Sequence, residues 1–93
     1  MQVVWNEEGL KKIPLSEEVK KKVEEQVKKL SLEEIEKLGE YEETGDEYVL
    51  PEPDPYEGLY VKIVKHKGKY KLVAGIWEHA YREEYYVAIL QIK

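Results

Sequence analysis

Residues 59–77 read LYVKIVKHKGKYKLVAGIW, and this stretch decides the fold of the chain. Two runs rich in β-branched and aromatic residues flank the dipeptide Lys67-Gly68, a pattern typical of a β-hairpin closed by a two-residue turn. With the turn at this dipeptide, His66 lies opposite Lys69, and each earlier residue pairs in step with a later one. The stretch therefore predicts two antiparallel strands and fixes their register.

The alternation of side chains across a strand divides this hairpin into two faces. One face is apolar, and we expect helices to cover it; it carries Leu59, Val61, Ile63, Leu72, Ala74 and Ile76. The opposite face is basic and partly aromatic; it carries Tyr60, Lys62, Val64, His66, Lys69, Lys71, Val73 and Gly75. A second turn near Glu78–Glu84 leads to a third strand at Tyr85–Ile92. That strand is apolar on both sides, which predicts a position in the interior of the sheet.

Residues 1–39 predict one strand followed by helices. Gln2–Trp5 reads as a short strand, and residues 7–13 read as a short helix that stops before a proline. Ser16 is a good N-cap for a longer helix, whose apolar side consists of Val19, Val23, Val27 and Leu30. Ser31 begins a further helix with a capping-box pattern, and Gly39 ends it. Because only one side of each of these two helices is apolar, we expect them to pack as a hairpin.

The stretch between the helices and the β-hairpin breaks these periodic patterns. Tyr48–Leu50 reads as a brief strand, and the prolines at Pro51, Pro53 and Pro55 predict an extended connection. Together the elements predict a single α+β domain over residues 1–93. Its architecture is a two-layer sandwich formed by an N-terminal strand, a helical hairpin and then a three-stranded antiparallel meander.

The composition excludes several classes of protein. The chain has 93 residues and no cysteine, which excludes a disulfide scaffold, a thiolate metal site and a cysteine nucleophile. Its apolar runs are too short for a transmembrane helix, and residues 1–20 lack the apolar run of a secretory signal. No group of histidines or acids has metal-ligand spacing, so we expect neither a metal nor a cofactor. These features predict a cytoplasmic protein that does not enter a membrane.

Charge is distributed unevenly along the chain. The formal net charge is −5, which argues against bulk nucleic-acid binding. Residues 59–77 nevertheless hold five lysines and no acid. Such a basic island is typical either of a hairpin protected against edge pairing or of an anion-binding face, and the sequence leaves both open. The dominance of lysine over arginine fits a thermostable, heat-adapted protein or an idealised designed sequence, and nothing in the chain separates the two.

Several short motifs resemble the RelE/ParE superfamily of type II toxins. Residues 1–10 read MQVVWNEEGL, which is similar to the family's opening strand that ends in tryptophan before a polar cap and a helix. Residues 10–14 resemble the turn between its two helices, and residues 58–60 with 69–73 resemble its central basic hairpin. The resemblance covers nearly the whole chain. It implies the same succession of strand, helical hairpin, proline-marked loop and three-stranded meander.

The resemblance also implies an activity. RelE-type members cleave mRNA on the ribosome without a metal, which implies a metal-independent endoribonuclease with an antitoxin as its partner. By position, Lys62 and Lys71 match basic residues that would stabilise the charge of the phosphorane, and His66 would donate a proton to the leaving oxygen. The further residues expected to bind RNA are Lys65, Lys69 and Tyr60.

Three features depart from the family pattern. The only arginine, Arg82, falls in a predicted turn, the sequence ends at Ile92-Lys93 without the family's last catalytic residues, and the net charge is acidic. ParE-type relatives, moreover, share the fold without nuclease chemistry. The alternative prediction is a non-catalytic protein-binding module, or a designed scaffold of the same fold, that uses its exposed tyrosine and lysine face or an edge strand. A structural domain that associates with itself is a further alternative.

Overall fold

The protein forms three helices and five strands in the part of the chain that the computed structural model describes, residues 1–51 and 58–92. The helices are α1 (Glu7–Lys12), α2 (Glu17–Lys28) and α3 (Leu32–Glu36). The strands are β1 (Gln2–Trp5), β2 (Glu47–Val49), β3 (Leu59–His66), β4 (Lys69–Glu78) and β5 (Tyr81–Gln91). Helices combined with one antiparallel sheet confirm the α+β class. The prolines at Pro53 and Pro55, and most of the extended connection predicted there, lie outside the described residues.

The five strands form one antiparallel sheet in the order β1-β5-β4-β3-β2. The register predicted for the first hairpin is confirmed, since His66 pairs with Lys69 and Leu59 pairs with Ile76. Lys67 and Gly68 both have positive φ, as the two-residue turn between these strands requires. The last strand is interior, as its apolar character predicts, because it lies between β1 and β4.

The second hairpin differs from the prediction. We expected a turn near Glu78–Glu84 and a third strand from Tyr85, but β4 and β5 continue to a tight turn at His79-Ala80, where Glu78 pairs with Tyr81. His79 adopts a positive φ of 53° without the glycine that normally marks such a turn. Arg82 therefore lies within β5, and the prediction that places it in a turn is wrong.

One face of the sheet packs against the helices. The stripe of valines on α2, Val19, Val23 and Val27, is fully buried in one cluster with apolar residues of β3, β4 and β5. Ser16 caps α2 as predicted, because its Oγ accepts a hydrogen bond of 3.2 Å from the backbone N–H of Val19. None of the described helices is long and apolar enough to cross a membrane.

Candidate functional site

The sheet face opposite the helices, here called the open face, is where the sequence predicts the functional residues. Besides Val49, Trp77 and Ile89, alternation along the paired strands assigns the following residues to it: Glu47, Tyr60, Lys62, Val64, His66, Lys69, Lys71, Val73, Gly75, Arg82, Glu84 and Tyr86. The face therefore carries basic groups from β3 and β4. It also carries acidic groups from β2 and β5, which the register of the first hairpin alone does not reveal.

Lys62 lies on the open face but is almost completely buried, with a relative exposure of 2%. Its Nζ lies 2.5 Å from Oε2 of Glu47 and 2.7 Å from Oε1 of Glu84, and both carboxylates accept hydrogen bonds from it. The ring of Tyr41 lies 5.5 Å from the same ammonium. Lys62 is thus a buried, doubly paired cation, and the catalytic role expected for it stays a prediction.

Arg82 extends this ionic cluster. Its Nε lies 2.7 Å from Oε1 of Glu84, and its second terminal nitrogen lies 3.2 Å from Oε1 of Glu47. The Nε also donates a hydrogen bond of 2.6 Å to the hydroxyl oxygen of Tyr60, which in turn donates to Glu84 at 3.0 Å. We call these five residues, Glu47, Tyr60, Lys62, Arg82 and Glu84, the open-face network. Two carboxylates and two cations give it a formal charge of zero.

The pKa shifts of Glu47, Lys62 and Arg82 favour the ionised form of each of these side chains. Burial alone would raise the pKa of Glu47, but hydrogen bonds from Lys62 and Arg82 outweigh it and lower that pKa. Burial would lower the pKa of Lys62, but its hydrogen bonds to Glu47 and Glu84 raise it. The hydrogen bond to Tyr60 and the pairing with Glu47 raise the pKa of Arg82, whereas burial raises the pKa of Tyr60. At neutral pH Glu47, Lys62 and Arg82 are therefore charged and Tyr60 keeps its proton.

The other residues predicted to be catalytic lie nearer the first turn. Lys71 is half-buried, and its Nζ lies 5.3 Å from the centre of the Tyr86 ring. The Nε2 of His66 lies 3.6 Å from a carboxylate oxygen of Glu42. The register pairs Lys71 with Val64, which places Lys71 diagonally between Lys62 and His66 on the open face.

The three residues predicted to bind RNA do not share one face of the sheet, because side chains alternate between the faces along a strand. Lys69 is exposed on the open face beside the turn, whereas Tyr60 is committed to the open-face network. Lys65 alternates to the face that the helices cover, where it pairs with Tyr70 and its Nζ lies 5.9 Å from that ring. Lys65 therefore does not join Lys62 and Lys71 on one surface. Within residues 1–51 and 58–92, Lys69 and Lys71 form no ion pair.

An acidic segment of the same chain borders the basic island. The carboxylate of Glu40 accepts hydrogen bonds from the backbone N–H groups of Lys67 and Gly68, at 2.5 Å and 3.1 Å. Glu42 faces His66, and Glu47 binds Lys62. Among the described residues, carboxylates of this segment therefore pair with Lys62 and His66 of the basic island, but not with Lys69 or Lys71. Residues 1–51 and 58–92 also contain no cluster of three or more His, Cys, Asp or Glu side chains that would hold a metal ion.

Sequence reasoning missed Glu47, Arg82 and Glu84 as members of a site. Paired glutamates such as Glu83 and Glu84 read as solvated surface, but adjacent residues of a strand point to opposite faces. Only Glu84 therefore reaches the open face, where its side chain is 22% exposed. Glu84 can be placed on this face only if β5 is known to begin at Tyr81. That start depends on the tight turn at His79-Ala80, a dipeptide without glycine.

A second feature lies at the far edge of the sheet. Between β1 and α2 runs a groove of about 340 Å³, lined by Met1, Gln2, Val3, Glu24, Val27 and Lys28. The indole Nε1 of Trp5 donates a hydrogen bond of 2.9 Å to Glu24, which fixes α2 beside this edge. Among the described residues, β1 has a strand neighbour on one side only. The groove is therefore bordered by an unpaired strand edge.

No family model matches the chain, and no curated protein or solved structure matches it either. The geometry of the described residues therefore carries the functional interpretation.

Proposed function

We propose that the chain is a non-catalytic protein-binding module with a RelE/ParE-like layout, acting in the cytoplasm. The observation that supports this function over RNA cleavage is the burial of Lys62 between Glu47 and Glu84. A catalytic lysine must present its charge to the phosphorane, and this ammonium is already satisfied by two carboxylates.

Recruiting Lys62 to a phosphate would require breaking the open-face network. Removal of one partner from a buried ion pair costs about 3–5 kcal/mol. Here the partly exposed carboxylates of Glu47 and Glu84 would keep Arg82 as their only cation in the network. The two carboxylates left behind would also repel the incoming phosphate. The chain's only arginine, Arg82, is bound to the same carboxylates, with its side chain 39% exposed.

A protein ligand, in contrast, requires no rearrangement of this network. The edge of β1 and the groove beside it are accessible, and Val4 on that edge is 40% exposed. An extended segment adds to such an edge through main-chain hydrogen bonds and places alternate side chains in a neighbouring groove.

Panning of a peptide-display library on the purified protein tests the proposal. We expect enrichment of a shared pattern, and saturable binding when an enriched peptide is synthesised and titrated by calorimetry. The matched control is panning on the heat-denatured protein, which should enrich nothing in common with the folded protein. Selection of no folded-state binder would contradict the proposal.

A ribosome-dependent mRNA endoribonuclease with an antitoxin partner is the second candidate function. It is favoured by the register that places Lys69, Lys71 and His66 on the same face. Lys71 would stabilise the phosphorane and His66 would protonate the leaving oxygen. Addition of the protein to a cell-free translation system tests it: inhibition with mRNA cleavage that Lys71→Ala abolishes and Lys29→Ala retains would support it. Translation equal to that with buffer would exclude it.

A further inference from the structure

We propose that the groove between β1 and α2 binds an extended segment of a partner protein carrying the pattern acidic, any, aliphatic, any, acidic. The segment would add to the sheet as a sixth strand beside β1. This inference rests on the proposed protein-binding function and specifies its site and the chemistry of its ligand.

On the side of β1 that faces away from β5, the backbone N–H and C=O groups have no partner strand among the described residues. The N–H of Asn6 donates to the carbonyl of Val87 on β5, and antiparallel pairs alternate between bonded and non-bonded positions. The N–H and C=O groups of Val4 therefore point toward β5, and those of Val3 and Trp5 point away from it. An added strand finds two donors and two acceptors there, without disturbance of the existing sheet.

The charges on α2 define what the added strand must carry. Lys20, Glu24 and Lys28 recur every four residues and therefore follow one stripe along the helix. The Nζ of Lys20 lies 5.9 Å from the Trp5 ring, whereas Lys28 lines the groove beside Gln2 and Val3. The helix thus runs antiparallel to β1: Lys28 lines the groove, and Lys20, whose Nζ also lies 3.2 Å from Oε1 of the exposed Glu17, lies beside Trp5 just beyond the groove lining.

The spacing of these cations matches the repeat of a strand. Lys20 and Lys28 are separated by roughly 12 Å along the helix axis, from about 1.5 Å per residue. Positions i and i+4 of a strand, which point to the same face, are separated by roughly 13 Å. Acidic residues at these two positions therefore meet the two lysines. The position between them lies over Val3 and Val27, while Glu24 is bound to Trp5, so an aliphatic side chain fits there.

The same stripe argues against a second copy of this chain as the occupant. Two-fold pairing of β1 with itself, centred on Val4, would place Val4 of one copy opposite Val4 of the other. Because α2 runs antiparallel to β1, Lys20 would then approach Lys28 of the second copy, and the two Glu24 residues would approach each other. Like charges at such positions disfavour the pairing.

Titration of a short capped peptide, Thr-Glu-Thr-Val-Thr-Glu-Thr, into the ¹⁵N-labelled protein tests the inference. We expect amide shifts concentrated on β1 and on the side of α2 that carries Lys28. The control peptide has lysine in place of both glutamates and should bind at least roughly fivefold more weakly, as expected for two exposed ion pairs. Equal binding of the two peptides would overturn the inference.

A charge reversal in the protein provides the reciprocal test. The double variant Lys20→Glu/Lys28→Glu should prefer the lysine peptide, whereas the matched double variant Lys21→Glu/Lys29→Glu should keep the original preference. N-methylation of the peptide amides that face β1 should abolish binding, and methylation of the alternate amides should not. If panning yields a peptide that shifts amides elsewhere in the protein, the groove assignment is wrong while the protein-binding function stands. If neither the designed nor any selected peptide binds, both are wrong.

Discussion

The ring of Tyr60 occupies the space above Gly75, where a methyl group would come within 2.2 Å of the ring carbon Cζ and of the hydroxyl oxygen. The two residues pair across β3 and β4, and Glu84 lies opposite Gly75 on β5. Because Gly75 has no side chain, the Tyr60 hydroxyl extends across β4 to Glu84 and Arg82 on the next strand. The open-face network therefore depends on a glycine in the interior of a strand.

The substitution Gly75→Ala should displace the Tyr60 ring and break its two hydrogen bonds. Overpacking of this kind costs about 1–3 kcal/mol, which urea denaturation measures as a lower free energy of unfolding. The control is the same substitution in a Tyr60→Ala background, where the clash is absent and the cost should largely disappear. An equal cost in both backgrounds would contradict the role assigned to Gly75.

Replacement of the buried Lys62 should lower the free energy of unfolding more than Gly75→Ala does. Lys62→Met keeps the length of the side chain but leaves Glu47 and Glu84 with Arg82 as their only cation in the network. We expect a loss of about 3 kcal/mol in the free energy of unfolding, typical of a broken buried ion pair. The matched variant Lys69→Met, at an exposed position of the same face, should change stability by less than about 0.5 kcal/mol. Similar effects of the two variants would show that Lys62 is not held as described.

The open-face network also predicts that the free energy of unfolding decreases at acidic pH. The pKa of Glu47 lies below its ordinary value of 4.5 in the folded protein. Its contribution is therefore present above that value and is lost as the pH falls through the lower, folded pKa. Glu47→Gln should reduce stability at pH 7 and make the decline below pH 4.5 shallower in urea titrations across pH. A decline as steep as in the wild type would contradict this assignment, and Glu42→Gln, at an exposed site, is the matched control.

The first hairpin and the α2 stripe could be predicted because each depends on a local pattern. Lys67-Gly68 specifies a turn through its own backbone preferences, and the register follows without further information. The valine stripe needs only the helical repeat. The turn at His79-Ala80 has no such local signal, because tertiary pairing of β4 with β5 holds His79 at positive φ.

The two tryptophans allow a matched comparison. Trp5→Phe removes the indole N–H that binds Glu24, and we expect a loss of about 1 kcal/mol in the free energy of unfolding. Trp77 is 56% exposed, and Trp77→Phe should change the stability by less than about 0.5 kcal/mol. If Trp5→Phe is also neutral, the bond to Glu24 does not hold α2 against the strand.

The candidate site was less accessible to sequence reasoning than the fold. The sequence places Lys62 on the correct face, but its partners come from β2 and β5, which are remote in the chain. Whether a strand lysine is free or buried depends on such long-range pairing, which no pattern within residues 59–77 encodes. The groove beside β1 could not be predicted from the sequence either, because it forms where α2 packs beside this edge strand.

Titration of a fluorescently labelled single-stranded RNA against increasing salt tests the central claim most directly. That claim is that Glu47 and Glu84 hold Lys62, so that the open face does not form an RNA site. The account predicts no saturable binding by the wild type at about 0.15 M salt, up to a protein concentration of roughly 100 μM. Binding in the low micromolar range, with a salt dependence that Lys71→Ala reduces by about one unit of slope, would contradict it.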